Sequence, residues 1–247
     1  MKSTSNGARK KLIAAARKLG KEVDAMSFGD PVTHVYNPLS YAWDAHQAYL
    51  SLANDGGSRV VMLGMNPGPW GMAQTGVPFG EVAAARDWLG IDVPVNRPKH
   101  EHPKRPVEGF ACTRSEVSGR RLWGLFAERF PASQDFFRDH FIVNYCPLVF
   151  MESSARNRTP NKLPASERAD LDDACDRHLA SVLAALRPEF VIGVGAYAEE
   201  CLKRALANGC HQATLGRILH PSPASPAANK DWAGTATKQL IQAGVWD

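Results

Sequence analysis

Charge of one sign, long apolar runs and paired cysteines are all scarce in this chain of 247 residues, and each shortage removes a class of protein. Lys and Arg total 29 against 25 Asp and Glu, a net charge of +4, which falls short of the balance of a purely electrostatic nucleic-acid binder. No run of about 18 or more apolar residues is present, so a helix crossing a bilayer is not expected. The N-terminal stretch is basic, with Arg9, Lys10, Lys11, Arg17 and Lys18, but its apolar run from Leu12 to Ala16 is too short for the core of a secretory signal, and export is not expected. Leu12, Ala16, Leu19 and Val23 recur at helical spacing and read as a packed helix rather than a transit peptide. Five cysteines without a C-x-x-C pair argue against a disulfide framework, a zinc knuckle or an iron–sulfur cluster, and for buried thiols in a reducing compartment. His100 and His102 have no third ligand at a sensible spacing; they read as solvated loop histidines, and no metal is expected.

What is present describes a globular α/β chain. Apolar residues make up 44% and charged residues 22%, enough for a full core, and no internal repeat or low-complexity linker suggests a second domain. The expectation is one domain over 1–247, with a helical N-terminal extension over 1–26. Four short apolar runs, Arg59 to Met65, Phe141 to Tyr145, Phe190 to Gly195 and Leu215 to His220, have the length of strands. They run as continuous Val, Ile and Leu without alternation, the pattern of parallel strands covered on both faces. Helical periodicity predicts helices near Gly7 to Met26, Leu39 to Asn54, Leu122 to Phe130, Leu171 to Leu186, Ala196 to Ala207 and Ala227 to Ala243. The alternation predicts a three-layer α/β/α single domain around a central, mainly parallel four-stranded sheet.

Two rigid loops follow predicted strands. Gly64 to Gly80, GMNPGPWGMAQTGVPFG, spends eight of seventeen positions on Gly or Pro, so it can hold Asn66, Met72, Gln74 and Phe79 at set positions with little chain freedom. It contains neither a phosphate-binding glycine motif nor the serine of a nucleophile elbow. His220-Pro221-Ser222-Pro223 forms the second loop, a stiff mount suited to an imidazole acting as an electrophile. Asn144 ends an apolar strand, and its amide must find partners, in ligand edges or in loop backbone. Phe79 suits either the core or stacking on a planar ring. Since ligands of open α/β sheets bind at the carboxyl ends of strands, the predicted fold brings Asn66, Asn144 and His220 to one edge. Two basic loops, RPKHEHPKR at Arg97 to Arg105 and the cluster Arg156, Arg158 and Lys162, suit either phosphate contacts or plain solvated surface.

These segments together resemble the single-strand-selective monofunctional uracil-DNA glycosylases of the uracil-DNA glycosylase superfamily. The resemblance is carried by GMNPGPWGMAQTGVPFGEV at Gly64 to Val82, RDWLGI at Arg86 to Ile91, EHPKRPVEG at Glu101 to Gly109, SEVSG at Ser115 to Gly119, NYCPLVF at Asn144 to Phe150 and HPSPASPAANKDW at His220 to Trp232. It implies hydrolytic excision of uracil and oxidised uracils such as 5-hydroxymethyluracil from DNA, with deaminated purines as an extension and without a lyase step. By position, Asn66 would orient the attacking water, His220 would stabilise negative charge on the departing base, Phe79 would stack on it and Asn144 would read its edge. Met65, Gly68 and Met72 would complete the base pocket. DNA would be met by Lys99, Lys104, Arg105, Ser118 and Arg156, and by the wedge Ser222, Pro223, Ala224, Ser225, Asn229 and Lys230. Small Ala224 and Ser225 depart from the bulky Arg-Asn pair of the animal form, and Trp70 replaces a Phe. The implied partners are single- and double-stranded DNA carrying uracil or related lesions; no cofactor or membrane contact and a monomeric state are expected. The implied location is the bacterial cytoplasm and nucleoid, or the nucleus in a eukaryote. A glycosidase for free nucleosides and a non-catalytic binder of damaged DNA remain the alternatives.

Overall fold

Apolar runs without alternation become strands buried on both faces. In the computed structural model, which describes residues 7–247, the order is α1 (Ala8–Asp24), β1 (Val32–Tyr36), α2 (Pro38–Tyr41), α3 (Trp43–Leu50), β2 (Val60–Gly64), α4 (Met72–Thr75), α5 (Val117–Arg129), α6 (Ser133–Asp139) and β3 (His140–Asn144). It continues with β4 (Val149–Glu152), β5 (Asn157–Arg158), α7 (Ala165–Leu186), β6 (Phe190–Val194), α8 (Ala196–Ala207), β7 (Thr214–Ile218) and α9 (Pro226–Gln242). Residues 1–6 of the expected N-terminal extension lie outside the described residues.

Strands β2, β3, β6 and β7 pair in parallel in the order β3-β2-β6-β7. Every residue of β2 and β3 is buried, whereas the edge strand β7 exposes Thr214 and Arg217. The chain leaves β2 to place β3 on one side and later returns to place β6 and β7 on the other. The carboxyl ends of β2 and β6 therefore flank a switch in strand order, where a crevice opens in folds of this class. Helices surround the sheet: α8 lies against β2, β6 and β7, α9 against β7 and α5, and α1 against α7. Leu12, Ala16, Leu19 and Val23 bury the apolar stripe of α1 in a hydrophobic cluster that extends from Ala8 to Trp246.

The predicted helix over Leu39 to Asn54 is two helices, α2 and α3, separated at Ala42 (φ −106, ψ 28). Asn37 caps the first by accepting from Leu39 N (3.1 Å), while its Nδ2 donates to Gly20 O and Asp24 Oδ1. A second sheet, antiparallel in the order β1-β4-β5, is absent from the sequence reading. Its β4 begins five residues beyond Asn144, and β5 leads into Thr159, so this sheet supplies one wall of the site.

Candidate active site

The loop after β2 is held from several directions. All residues of 71–80 are buried. Gly76 ends α4 at φ +70, a conformation that favours glycine. Thr75 Oγ1 donates to Gly80 O (2.9 Å) and accepts from Val77 N (3.2 Å). From outside, Tyr41 donates to Ala73 O (2.6 Å) and Trp123 Nε1 to Pro78 O (3.1 Å). Gln74 is held at a set position by backbone partners. Its Nε2 donates to Pro69 O and Pro106 O, and its Oε1 accepts from Glu108 N, so it ties the loop to the 106–108 segment. Phe79 takes φ +53, an uncommon backbone state for a bulky side chain. This turn sets its ring beneath the end of β2, where a side chain on Gly64 would overlap both that ring and the Asn144 amide.

A cavity of about 300 Å³ opens at this edge, within the range of small-molecule sites. It brings together the expected Met65, Asn66, Gly68, Phe79, Asn144, Ser118, His220 and Ser222, with Glu116, Asn157 and Thr159 beside them. Asn66 Nδ2 donates to Leu148 O at 3.1 Å, which orients the amide and leaves Oδ1 without a donor among the described residues. His220 Nδ1 accepts from Ser222 N at 3.1 Å, so the ring proton sits on Nε2. Burial lowers the His220 pKa below its ordinary value, which makes the ring a neutral N–H donor at neutral pH. Its centroid lies 6.3 Å from that of Phe79. Asn144 Nδ2 meets Met72 Sδ at 3.3 Å, and its buried Oδ1 has no partner among the described residues. Met72 is therefore behind Asn144 and lines a separate cavity of about 20 Å³, so the residue expected in the base pocket acts as its backing. The arrangement can bind a flat heterocycle by its amide edge, hold a water and stabilise negative charge leaving on the ring.

Around the rim the basic residues divide into tethered and free groups. Lys99, Lys104 and Arg156 are exposed. Arg105 and Arg114 both stack on Trp70, with guanidinium carbons 5.0 and 4.6 Å from the ring centroid, beside the Gly68 wall. The 102–105 segment is pinned by Tyr36, whose hydroxyl accepts from His102 N (2.7 Å) and donates to Arg105 O (2.8 Å). His102 is consequently buried, not solvated: its Nδ1 accepts from Lys104 N, and Nε2 faces Ser153 O. Arg158 is engaged by Glu152 Oε1 at 2.9 Å and by Lys162 O. In the expected wedge, Pro223, Ala224 and Lys230 are exposed. Ser225 instead caps α9 by accepting from Ala228 N, and Asn229 donates to Pro223 O while accepting from Arg121 Nη2.

The sequence profile of the Uracil DNA glycosylase superfamily matches residues 50–241. The chain belongs to that superfamily. Within it, the chain falls with the single-strand-selective monofunctional enzymes. It is similar to "Single-strand selective monofunctional uracil DNA glycosylase" of Bos taurus, 46% identical over 92% of this chain and 84% of the relative. The proteins of that description from Mus musculus and Rattus norvegicus are each 47% identical over 92% of this chain and 82% of theirs. The crystal structure of wild-type Pedobacter heparinus SMUG2 shares the fold at 17% identity, with a TM-score of 0.69 over 94% of this chain and 96% of that one.

Several residues of this glycosylase-family site escaped the sequence reading. Asn157 and Thr159 reach the cavity only through the unforeseen second sheet. Arg121 on α5 donates to Pro221 O (3.0 Å) and Asn229 Oδ1 (2.9 Å), which clamps the loop carrying His220. Glu116 stands in the SEVSG segment, whose likeness to a family signature was the one available pointer. Burial and the Glu81 carboxylate raise its pKa to about 7.

Proposed function

We propose that this member of the uracil DNA glycosylase superfamily hydrolyses the N-glycosidic bond of uracil and oxidised uracils such as 5-hydroxymethyluracil in single- and double-stranded DNA. Deaminated purines are an extension of the same reading. The chain works as one domain and a monomer, without a cofactor. The target nucleotide leaves the stack and enters the pocket, a step that costs a few kcal/mol in duplex and less in single strands. The observation that carries the proposal is the convergence of Asn66, Phe79, Asn144 and His220 on one cavity at the switch in strand order.

Each group has one task. Phe79 stacks on the ring. Asn144 Oδ1 accepts from N3–H of the pyrimidine while its Nδ2 turns from Met72 toward O4. A water donating to Asn66 Oδ1 directs its lone pair at C1′. The C1′–N1 electron pair withdraws into the base, and His220 Nε2–H donates to O2 as negative charge gathers there. The water oxygen remains on C1′ and one of its protons passes to the base side, giving free base and an abasic sugar. No lysine lines the cavity among the described residues, in keeping with hydrolysis rather than an imine-forming lyase route.

The test incubates the protein with oligonucleotides bearing uracil, 5-hydroxymethyluracil, hypoxanthine or xanthine, then cleaves abasic sites with alkali. Asn66→Ala and His220→Ala are each expected to slow single-turnover release by about 10² or more. Near-normal rates in both variants would refute the site. Release from free deoxyuridine as fast as from DNA would favour a nucleoside glycosidase, and tight uracil-DNA binding without abasic product would favour a binder.

A further inference from the structure

Trp70 and Arg114 take no part in the reaction above, yet they meet at the edge of its cavity. Trp70 sits in the glycine-rich loop between Gly68 and Gly71, and a side chain on either glycine would overlap the Glu116 carboxyl. The loop therefore lies directly over the segment that leads into α5. Arg114 is on that segment, two residues before Glu116, and Arg105 comes from the 102–105 segment pinned by Tyr36. Three separate stretches of chain thus converge on one indole, which carries the two guanidinium carbons at 5.0 and 4.6 Å from its centroid. Gly68 and Glu116 line the cavity, and two residues of chain span at most about 7 Å, so the cluster adjoins the mouth of the pocket.

The charge of this cluster is not balanced within the protein. Sharing one ring, the two cations lie within about one Debye length of each other, roughly 10 Å in 0.1 M salt. Neither Arg105 nor Arg114 forms an ion pair among the described residues. Glu116 turns its carboxyl under the loop, and Glu101 is engaged by Val107 N and Arg97. Arg105 Nε is buried without a hydrogen-bond partner among the described residues, and Arg114 is exposed. An indole is the ring that best attracts a cation, but its face accepts few of the N–H donors that a guanidinium offers. Those donors suit an anion, and the planar fork matches the oxygens of a phosphate. With two guanidiniums over the ring, the cluster suits a phosphate rather than a stacked base. We propose that Trp70, Arg105 and Arg114 form a seat for one phosphodiester of the DNA strand, beside the flipped nucleotide. The inference rests on the glycosylase reading above and deepens it. Where exposed lysines meet the backbone at no fixed place, this seat selects a single phosphate. The loop that stacks the base on Phe79 then also holds its backbone, so one rigid element sets both ends of the nucleotide.

The test measures equilibrium binding of single-stranded oligonucleotides carrying one 2′-fluoro-deoxyuridine, a poorly hydrolysed analogue. All phosphates are charged, or one uncharged methylphosphonate stands at each position flanking the target in turn. Arg114→Ala is expected to weaken binding of the fully charged strand by about 10-fold. At one flanking position the methylphosphonate should cost the unaltered protein about as much and Arg114→Ala little more, the mark of a direct pair. Trp70→Leu keeps both charges but removes the platform, and is expected to lose the effect at that same position. Equal methylphosphonate effects in Arg114→Ala and the unaltered protein at every position overturn the inference. So does a full effect in Trp70→Leu, since the charges would then act without the ring. Arg114 is exposed, so its truncation does not endanger the fold; where Trp70→Leu fails to fold, Trp70→Phe is read for a reduced effect at that position. Uracil release from ordinary uracil-DNA is followed alongside. Release without the coupling overturns this inference alone, and the coupling without release overturns the glycosylase reading beneath it.

Discussion

The loop after β2 and the loop after β7 face each other across one cavity, yet they are built in different ways. In the first, ten consecutive residues, 71–80, are buried, and side chains from α2, α4 and α5 grip the backbone at Ala73, Gly80 and Pro78. In the second, Pro223, Ala224, Asn229 and Lys230 are exposed. Its ties are few: Arg121 to Pro221 O and Asn229, Trp232 Nε1 to Leu219 O (2.7 Å) and Leu219 N to Gln239 Oε1 (2.7 Å). The pocket thus joins a fixed half, which in the proposed function recognises a small flat base by position, to a looser half, which in that proposal meets the polymer. Atomic placement matters most on the first side, and electrostatics and clamping on the second.

That contrast can be broken at its rigid end first. Gly64→Ala is expected to displace the Phe79 ring and the Asn144 amide together and to cut single-turnover base release by about 10² or more, because misplacement by about 1 Å costs that much. Rates within a few-fold of the unaltered protein would show that the fixed half tolerates movement.

Next comes the carboxyl under the loop. The raised pKa of Glu116, about 7 against an ordinary 4.5, means that the folded state holds its proton at a cost. The cost is absent below about pH 4.5, grows as pH rises toward 7 and levels off beyond it, at about 3 kcal/mol or less. Glu116→Gln is therefore expected to gain stability over the unaltered protein at pH 8 but not at pH 4, by urea unfolding. Parallel pH profiles for the two proteins would sink this prediction.

On the looser side, Arg121→Ala removes two hydrogen bonds from the loop. We expect a loss of about 1 kcal/mol in stability and roughly five-fold weaker binding to uracil-containing oligonucleotides; unchanged affinity would mean that the clamp is dispensable. The smallest effects belong to Lys104→Ala and Lys230→Ala. Each should weaken DNA binding evenly across sequences and reduce the salt slope by about one, and a sequence-dependent loss would point to base contacts instead.

The sequence disclosed the parallel sheet more fully than the site it carries. Val60–Gly64 and Phe190–Val194 are continuous apolar runs and fell close to their predicted ranges, and α8 matches residue for residue. Asn66, Asn144 and His220 converge because strand order places three carboxyl ends together, and that much follows from α/β alternation. The antiparallel sheet stayed hidden because β5 has only two residues and β1 is short, with Thr33 exposed and His34 partly exposed; long-range pairing, not local pattern, makes them strands. Met72, expected to complete the base pocket, lies behind Asn144, since a short turn of helix cannot be oriented from composition. His102 reads as a solvated loop histidine and Glu116 enters only as part of SEVSG; the packing of Tyr36 over one and of Gly68 and Gly71 over the other buries them. Arg121 shows that a clamp joining residues about 100 apart leaves no local trace.

Gly195 stands at the head of α8 with φ +90, and a side chain there would press on the His220 ring, at 3.1 Å from its Cβ. Its bareness lets the imidazole rest against the amino end of a 12-residue helix, where aligned peptide dipoles present about half a positive elementary charge. That charge belongs to the backbone, so neither acid nor alkali removes it while the helix stays folded. It opposes protonation of the ring, and in the proposed reaction it adds an attraction for the departing anion that no side chain has to carry.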